Sequence, residues 1–194
     1  MKKYKFTILI FIATLLCFSC AEKDPCEGII CQNGGSCFEG KCQCLNGFEG
    51  NNCETEKLPT AVNVSTLKIT KFPSKKQNGA NWDDDGTNPD LFPGLVTLKA
   101  DNTADKFLWL SDLTKLNATL NQEHNFPLLL PKLIMNNYES KLAFFLYEED
   151  GSSSRESMGG ISFLLKDVVK GKPSIIKLDC PTCTVALELS VTYE

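Results

Sequence analysis

Six cysteines fall within the 28 residues from Cys26 to Cys53, in CEGIICQNGGSCFEGKCQCLNGFEGNNC. A segment of that size buries too little apolar surface to hold itself folded, so it needs cross-links. Gly34, Gly35, Gly47 and Gly50 are interleaved with the cysteines, and they supply the positive φ angles that tight turns between cross-links require. Six cysteines admit fifteen pairings, and the spacing alone leaves all of them open.

The start of the chain sets the redox context. Met1-Lys2-Lys3-Tyr4-Lys5 is cationic, and Phe6 to Ser19 (FTILIFIATLLCFS) follows as 14 residues without a charge. A bilayer span takes about 20 apolar residues, so this is a secretion signal, residues 1–19, rather than a transmembrane helix. No later segment is long and apolar enough to span. Ser19-Cys20 resembles the lipobox of bacterial lipoproteins, with residues 20–25 as a lipidated tether and Cys20 as the lipidation site. That resemblance implies a chain held at the outer membrane or cell surface, with the membrane reached through the N-terminal lipid. Cys17 and Phe18 depart from the usual lipobox, and Ser19-Cys20-Ala21 also fits an ordinary cleavage site that would leave the protein secreted. The charged AEKD that follows favours the tether. In either case eight of the ten cysteines remain outside the signal and its processing site. An even number in an exported chain reads as four disulfides.

Residues 26–53 resemble an EGF-like domain. The resemblance rests on Cys31-x5-Cys37 around Asn33-Gly34-Gly35, and on Cys42-x-Cys44-x2-Gly47-Phe48-x-Gly50-x2-Cys53. It implies the pairs Cys26–Cys37, Cys31–Cys42 and Cys44–Cys53. Members that bind calcium carry acidic residues just before the first cysteine. Here Pro25 separates Asp24 from Cys26, so this module is expected to bind none. It is read as a rigid spacer, because nothing on it forms an apolar patch.

The last pair is Cys180-Pro181-Thr182-Cys183. In a thioredoxin-like redox pair a helix follows the first cysteine. Here Thr184 to Tyr193 alternates apolar and polar residues, which is a half-buried strand. Cys180 and Cys183 are therefore expected to clasp a hairpin turn.

A polar linker, residues 54–61, leads to the larger domain, residues 62–194. Strands are expected at Val62–Phe72, Phe92–Ala100, Lys106–Leu110, Phe126–Ile134, Leu142–Glu148, Ile161–Leu165, Ser174–Leu178 and Thr184–Tyr193, with Leu113–Gln122 as the one competing helical stretch. The chain is thus all-β, a small disulfide-rich module followed by an eight-stranded antiparallel β-sandwich.

Two acidic loops stand out, NWDDDGTNPDLF after the first strand and YEEDGSSSRESMGG after the fifth. Asp84 and Asp90 are spaced six apart, as are Asp150 and Glu156, and Met158-Gly159 follows the final acid. This arrangement resembles the C2 domain, the calcium-binding sandwich of protein kinase C and synaptotagmin. The resemblance covers residues 62–194 and implies calcium held by Asp84, Asp90, Glu148, Asp150 and Glu156. Calcium takes 6–8 oxygen ligands, which converging carboxylate loops can supply. The glutamates at 148 and 156 stand where the family has aspartates, which would weaken the site. The loop tips are polar, which argues against calcium-dependent phospholipid binding. Trp82 is expected in the core rather than in a membrane.

Net charge is −4, and loss of the three signal lysines leaves the mature chain near −7, which argues against nucleic acid as a partner. The single histidine, His124, has no nucleophile or metal-protease motif beside it, so no enzyme is expected. The best reading is a surface-displayed, calcium-binding interaction or adhesion module that recognises a protein or glycan. The alternatives are a structural envelope lipoprotein without a metal and, behind it, a calcium-dependent phospholipid-binding protein.

Overall fold

The computed structural model describes residues 23–128, 133–149 and 155–194; the signal, Cys20 and Asp150 lie outside them. The chain divides into two compact units, with the division after Lys57.

In the first unit two short hairpins, β1 (Ser36–Phe38) with β2 (Lys41–Gln43) and β3 (Phe48–Glu49) with β4 (Thr55–Glu56), are joined by three disulfides. The bonds are Cys26–Cys37, Cys31–Cys42 and Cys44–Cys53, with Cα separations of 5.9, 5.6 and 5.2 Å. These are the pairs that the EGF resemblance implies. Asp24 accepts the Cys26 N–H at 2.9 Å, which starts the first turn. The stretch read as a linker is divided between the units. Thr55–Glu56 pairs with Phe48–Glu49, while Thr60 donates its N–H to the Glu194 carbonyl and Ala61 accepts the Glu194 N–H.

The second unit is a two-sheet antiparallel sandwich. One sheet has the order β11 (Arg155–Leu164), β10 (Lys141–Glu149), β6 (Leu91–Leu98), β7 (Ala104–Leu110). The other has the order β12 (Ile175–Leu178), β13 (Ala186–Tyr193), β5 (Val62–Lys71), β8 (His124–Pro127), and β9 (Leu133–Met135) also pairs with β5. Strand alternation turns one face of each sheet inward. Leu67, Ile69, Phe126, Leu187 and Leu189 from one sheet meet Leu95, Leu142, Phe144 and Phe163 from the other in a single core. Burying each of these contributes about 1.5–3 kcal/mol. Central β10 and β6 are apolar on both faces, as their burial in mid-sheet requires.

Bulges keep the pattern in phase. In β5 the register shifts so that Ser65 falls opposite no residue of β13, and Val62 and Val64 as well as Leu67 and Ile69 face the core. In β11 the extra residue is Met158, which is itself buried. Gly159 beside it sits at φ +109°, a conformation that favours glycine.

Three expectations change. The single strand Phe126–Ile134 is two strands, β8 and β9, running along the same edge of β5. Pro127 and Pro131 lack the N–H that an unbroken ladder needs. The sandwich therefore has nine strands among the described residues. Leu113–Gln122 is a loop: Asn117 and Asn121 have φ of 51° and 64°, which no helix accommodates. Strand β11 stops at Leu164, and the fully buried Leu165 opens a four-residue helix, α1 (Leu165–Val168). Cys180 and Cys183 form the fourth disulfide, closing the turn between β12 and β13 with a Cα separation of 5.1 Å. A strand, not a helix, follows them.

Candidate binding site at the loop end of the sandwich

The antiparallel topology carries four connections to one end of the sandwich: β5 to β6, β7 to β8, β10 to β11 and β12 to β13. Both acidic loops belong to this end. Asp90 directly precedes β6, Leu91 faces Glu148 across β6 and β10, and Glu148 faces Glu156 across β10 and β11. Asp90, Glu148 and Glu156 thus stand on three neighbouring strand ends.

Their carboxylates do not converge. Asp90 accepts the Asn117 N–H at 2.7 Å and is turned to the β7–β8 loop. Glu148 shares the inward face of Leu142, Phe144 and Leu146 and is wholly buried. Glu156 is held by Lys76, with Nζ 2.5 Å from Oε2. Asp84 is exposed in its loop. Its neighbours Asp83 and Asp85 both accept the Thr87 hydroxyl, at 3.0 and 2.6 Å. The Thr87 hydroxyl and N–H hold the Asp85 carboxyl below its ordinary value. No three His, Cys, Asp or Glu among the described residues group as a metal site. Of the five residues implied as calcium ligands, the four that are described therefore do not fit a shared ion as they stand.

What the loop end does contain is a locked, charged cleft of about 770 Å³, bordered by Pro73, Lys76, Trp82, Glu156, Met158 and Thr184. Trp82 is buried, as expected, and its indole N–H donates to the Pro73 carbonyl at 2.8 Å. Lys76 is fixed from two directions. Its backbone N–H bonds the Ala80 carbonyl, and its ammonium lies 5.9 Å from the Trp82 ring centroid. The cleft floor comes from the β11 bulge, where a Cβ on Gly159 would meet the Thr184 hydroxyl oxygen at 2.7 Å. The Cys180–Cys183 turn lies next to Thr184 in the chain.

On the outer face of the same strand ends stands Glu149. It accepts the Thr114 hydroxyl at 2.5 Å and the Arg155 guanidinium at 2.7 and 2.9 Å. The Arg155 guanidinium in turn covers the Phe92 ring at 3.8 Å. The Thr114 hydroxyl, aided by Arg155, holds the Glu149 carboxyl below its ordinary value despite partial burial.

The β7–β8 loop supplies what the sequence did not suggest. It is tied to the acidic end by the Lys115–Leu91 backbone pair and by the Ala118 N–H to Pro89. Leu113, Leu116 and Leu120 are nonetheless exposed, at 41, 69 and 46 %. Phe107 and Leu110, just before it, are exposed too. The leucine spacing was the available signal, but it reads equally as the buried face of a helix. His124 caps this loop by a contact of its Nε2 with the Thr119 carbonyl at 3.0 Å.

In the first unit Ile30, Phe38 and Leu45 are exposed. Its own cleft, near Ile29 and Ile30, carries a single charged side chain, Lys41.

No protein-family model matches the chain. Over 53 residues it is 36% identical to the basement membrane-specific heparan sulfate proteoglycan core protein of Mus musculus, a match that covers 25% of this chain. The chain spans only 1% of the length of that relative. Among solved structures it is similar to a C2 domain of a plant extended synaptotagmin 1, at 18% identity and a TM-score of 0.32, over 71% of this chain and 98% of that one. A likeness that loose carries no functional argument, and the all-β architecture rests on the strands themselves.

Proposed function

We propose that this chain is an exported interaction module, anchored by lipid at Cys20, in which the disulfide-rich unit is a spacer and the loop end of the sandwich docks a protein ligand at the cell surface. The observation that supports it is the exposure of Leu113, Leu116 and Leu120 on one loop at the same end of the sandwich as the cleft. Apolar side chains held in water on a loop that the backbone fixes in place mark a contact surface. A photo-crosslinking residue placed at Leu116 should capture a partner in intact producing cells. The same residue at Ile175, exposed at the opposite end of β12, should not. Equal capture from both positions removes the reading. Anchoring is tested separately: a fatty-acid probe should label the wild type and fail on Cys20→Ser.

A second reading keeps calcium, with Asp84, Asp90, Glu148, Asp150 and Glu156 as ligands. It is favoured by the placement of Asp90, Glu148 and Glu156 on adjacent strands at one end. Against it stands the lysine already on Glu156.

A further inference from the structure

We infer that Lys76 is the built-in cation of the loop end, neutralising Glu156 so that the cleft keeps its shape without a metal ion. Backbone register places Glu156 opposite the wholly buried Glu148. Two acidic side chains facing each other across a strand pair are destabilising unless positive charge is brought to them. The chain brings that charge itself. Lys76 lies 80 positions away in sequence, and its ammonium meets the Glu156 carboxylate at 2.5 Å. Two further devices fix where it sits. The turn from Lys76 to Ala80 is closed by the bonds Lys76 N–H to Ala80 O and Gly79 N–H to Lys76 O, at 3.0 and 2.9 Å. The lysine also lies against Trp82, whose ring is locked by its bond to Pro73. With 23 % of its side chain exposed, Lys76 is partly desolvated, and so is less screened than a surface lysine.

A divalent ion bound at Glu156 would have to displace an ammonium held covalently at high effective concentration. Calcium in the millimolar range suits extracellular sites built from several converging carboxylates, and such a gathering is not formed around Glu156 by the described residues. The docking surface must then work in the presence of a chelator, which separates the two functional readings.

The test uses the full chain with its disulfides oxidised, and melting temperature is read in calcium chloride, magnesium chloride and EDTA. Wild type is expected to melt at one temperature in all three. Lys76→Met keeps the apolar stem against Trp82 but removes the charge, and should melt several degrees lower. Adding Glu156→Gln to Lys76→Met should restore most of that loss, because the stranded carboxylate goes with it. Wild type melting higher in calcium than in EDTA overturns the inference. So does a Lys76→Met variant that melts like wild type. Should Lys76→Met fail to fold, the double variant decides: folding supports the charge role, and failure to fold overturns it. Loss of ligand capture at Leu116 would leave these results untouched, so the two proposals fail separately.

Discussion

Glu148 and Glu149 are neighbours in β10, yet Glu148 is wholly buried on the core side while Glu149 stands on the outer face, bonded to Thr114 and Arg155. The period of a strand decides this: one step along the chain exchanges core for solvent. The chemistry of the loop end follows from that parity.

Glu149 gives a pH-dependent prediction. Its folded carboxyl titrates below the ordinary value of 4.5, first because of the Thr114 hydroxyl. The stability it contributes is therefore fully present above about 4.5 and is lost as pH falls through the lowered folded value. Thr114→Val removes the main cause. The Glu149 midpoint, followed by carbon NMR of its carboxyl, should move upward. At neutral pH the variant should lose about 0.5–1.5 kcal/mol for the missing hydrogen bond. An unmoved midpoint would show that Arg155 alone sets it.

The disulfides should differ in consequence. Cys44→Ser with Cys53→Ser removes one of three bonds from a unit with almost no core, and should cost about 2–5 kcal/mol and unfold that unit. Cys180→Ser with Cys183→Ser opens a loop of only a few residues on a sandwich that has its own core. It should lower stability by roughly 2 kcal/mol or less and leave the sheet intact. Circular dichroism and proton NMR of the two double variants check this ordering. Loss of the sandwich fold on removing Cys180 and Cys183 would contradict it.

The β11 bulge is testable at its glycines. A Cβ on Gly160 would lie 2.5 Å from the Phe144 carbonyl oxygen, a backbone atom that cannot swing away. Gly160→Ala should therefore break the β10–β11 pairing locally and cost more than about 3 kcal/mol in chemical denaturation. Gly159→Ala, strained at φ +109° and facing the Thr184 side chain, should cost about 1–3 kcal/mol. A Gly160→Ala variant as stable as wild type would contradict the placement of Met158 as the bulged residue.

Much of the fold was legible because its signals are local. The cysteine and glycine spacing carries the EGF resemblance, and that resemblance implies the three pairs found in the first unit. Alternation in Val185 to Tyr193 and the doubly apolar Leu142 to Tyr147 identify a half-buried and a central strand. Pro127 and Pro131 warned of the break between β8 and β9, but the apolar run between them masked it. Leu113, Leu116 and Leu120 have helical spacing, and only the left-handed Asn117 and Asn121 show why they form an exposed loop. The candidate site was legible in its location and not in its contacts. The acidic loops are at one end, as their strand order implied. Which carboxylate meets which group depends on strand parity, on the Met158 bulge and on a lysine 80 residues from its partner. None of these is a pattern within one segment.

The docking role of the loop end is tested most directly by measuring how tightly the fluorescently labelled, purified mature chain binds to producing cells that lack their own copy, for wild type and for Leu113→Ser with Leu116→Ser and Leu120→Ser. These exposed positions lie outside the core cluster, so the triple variant should melt within a few degrees of wild type. Its binding should fall at least about tenfold, the loss expected when roughly 1.4 kcal/mol of apolar contact is removed. Binding that stays at the wild-type level in a folded triple variant would contradict the account.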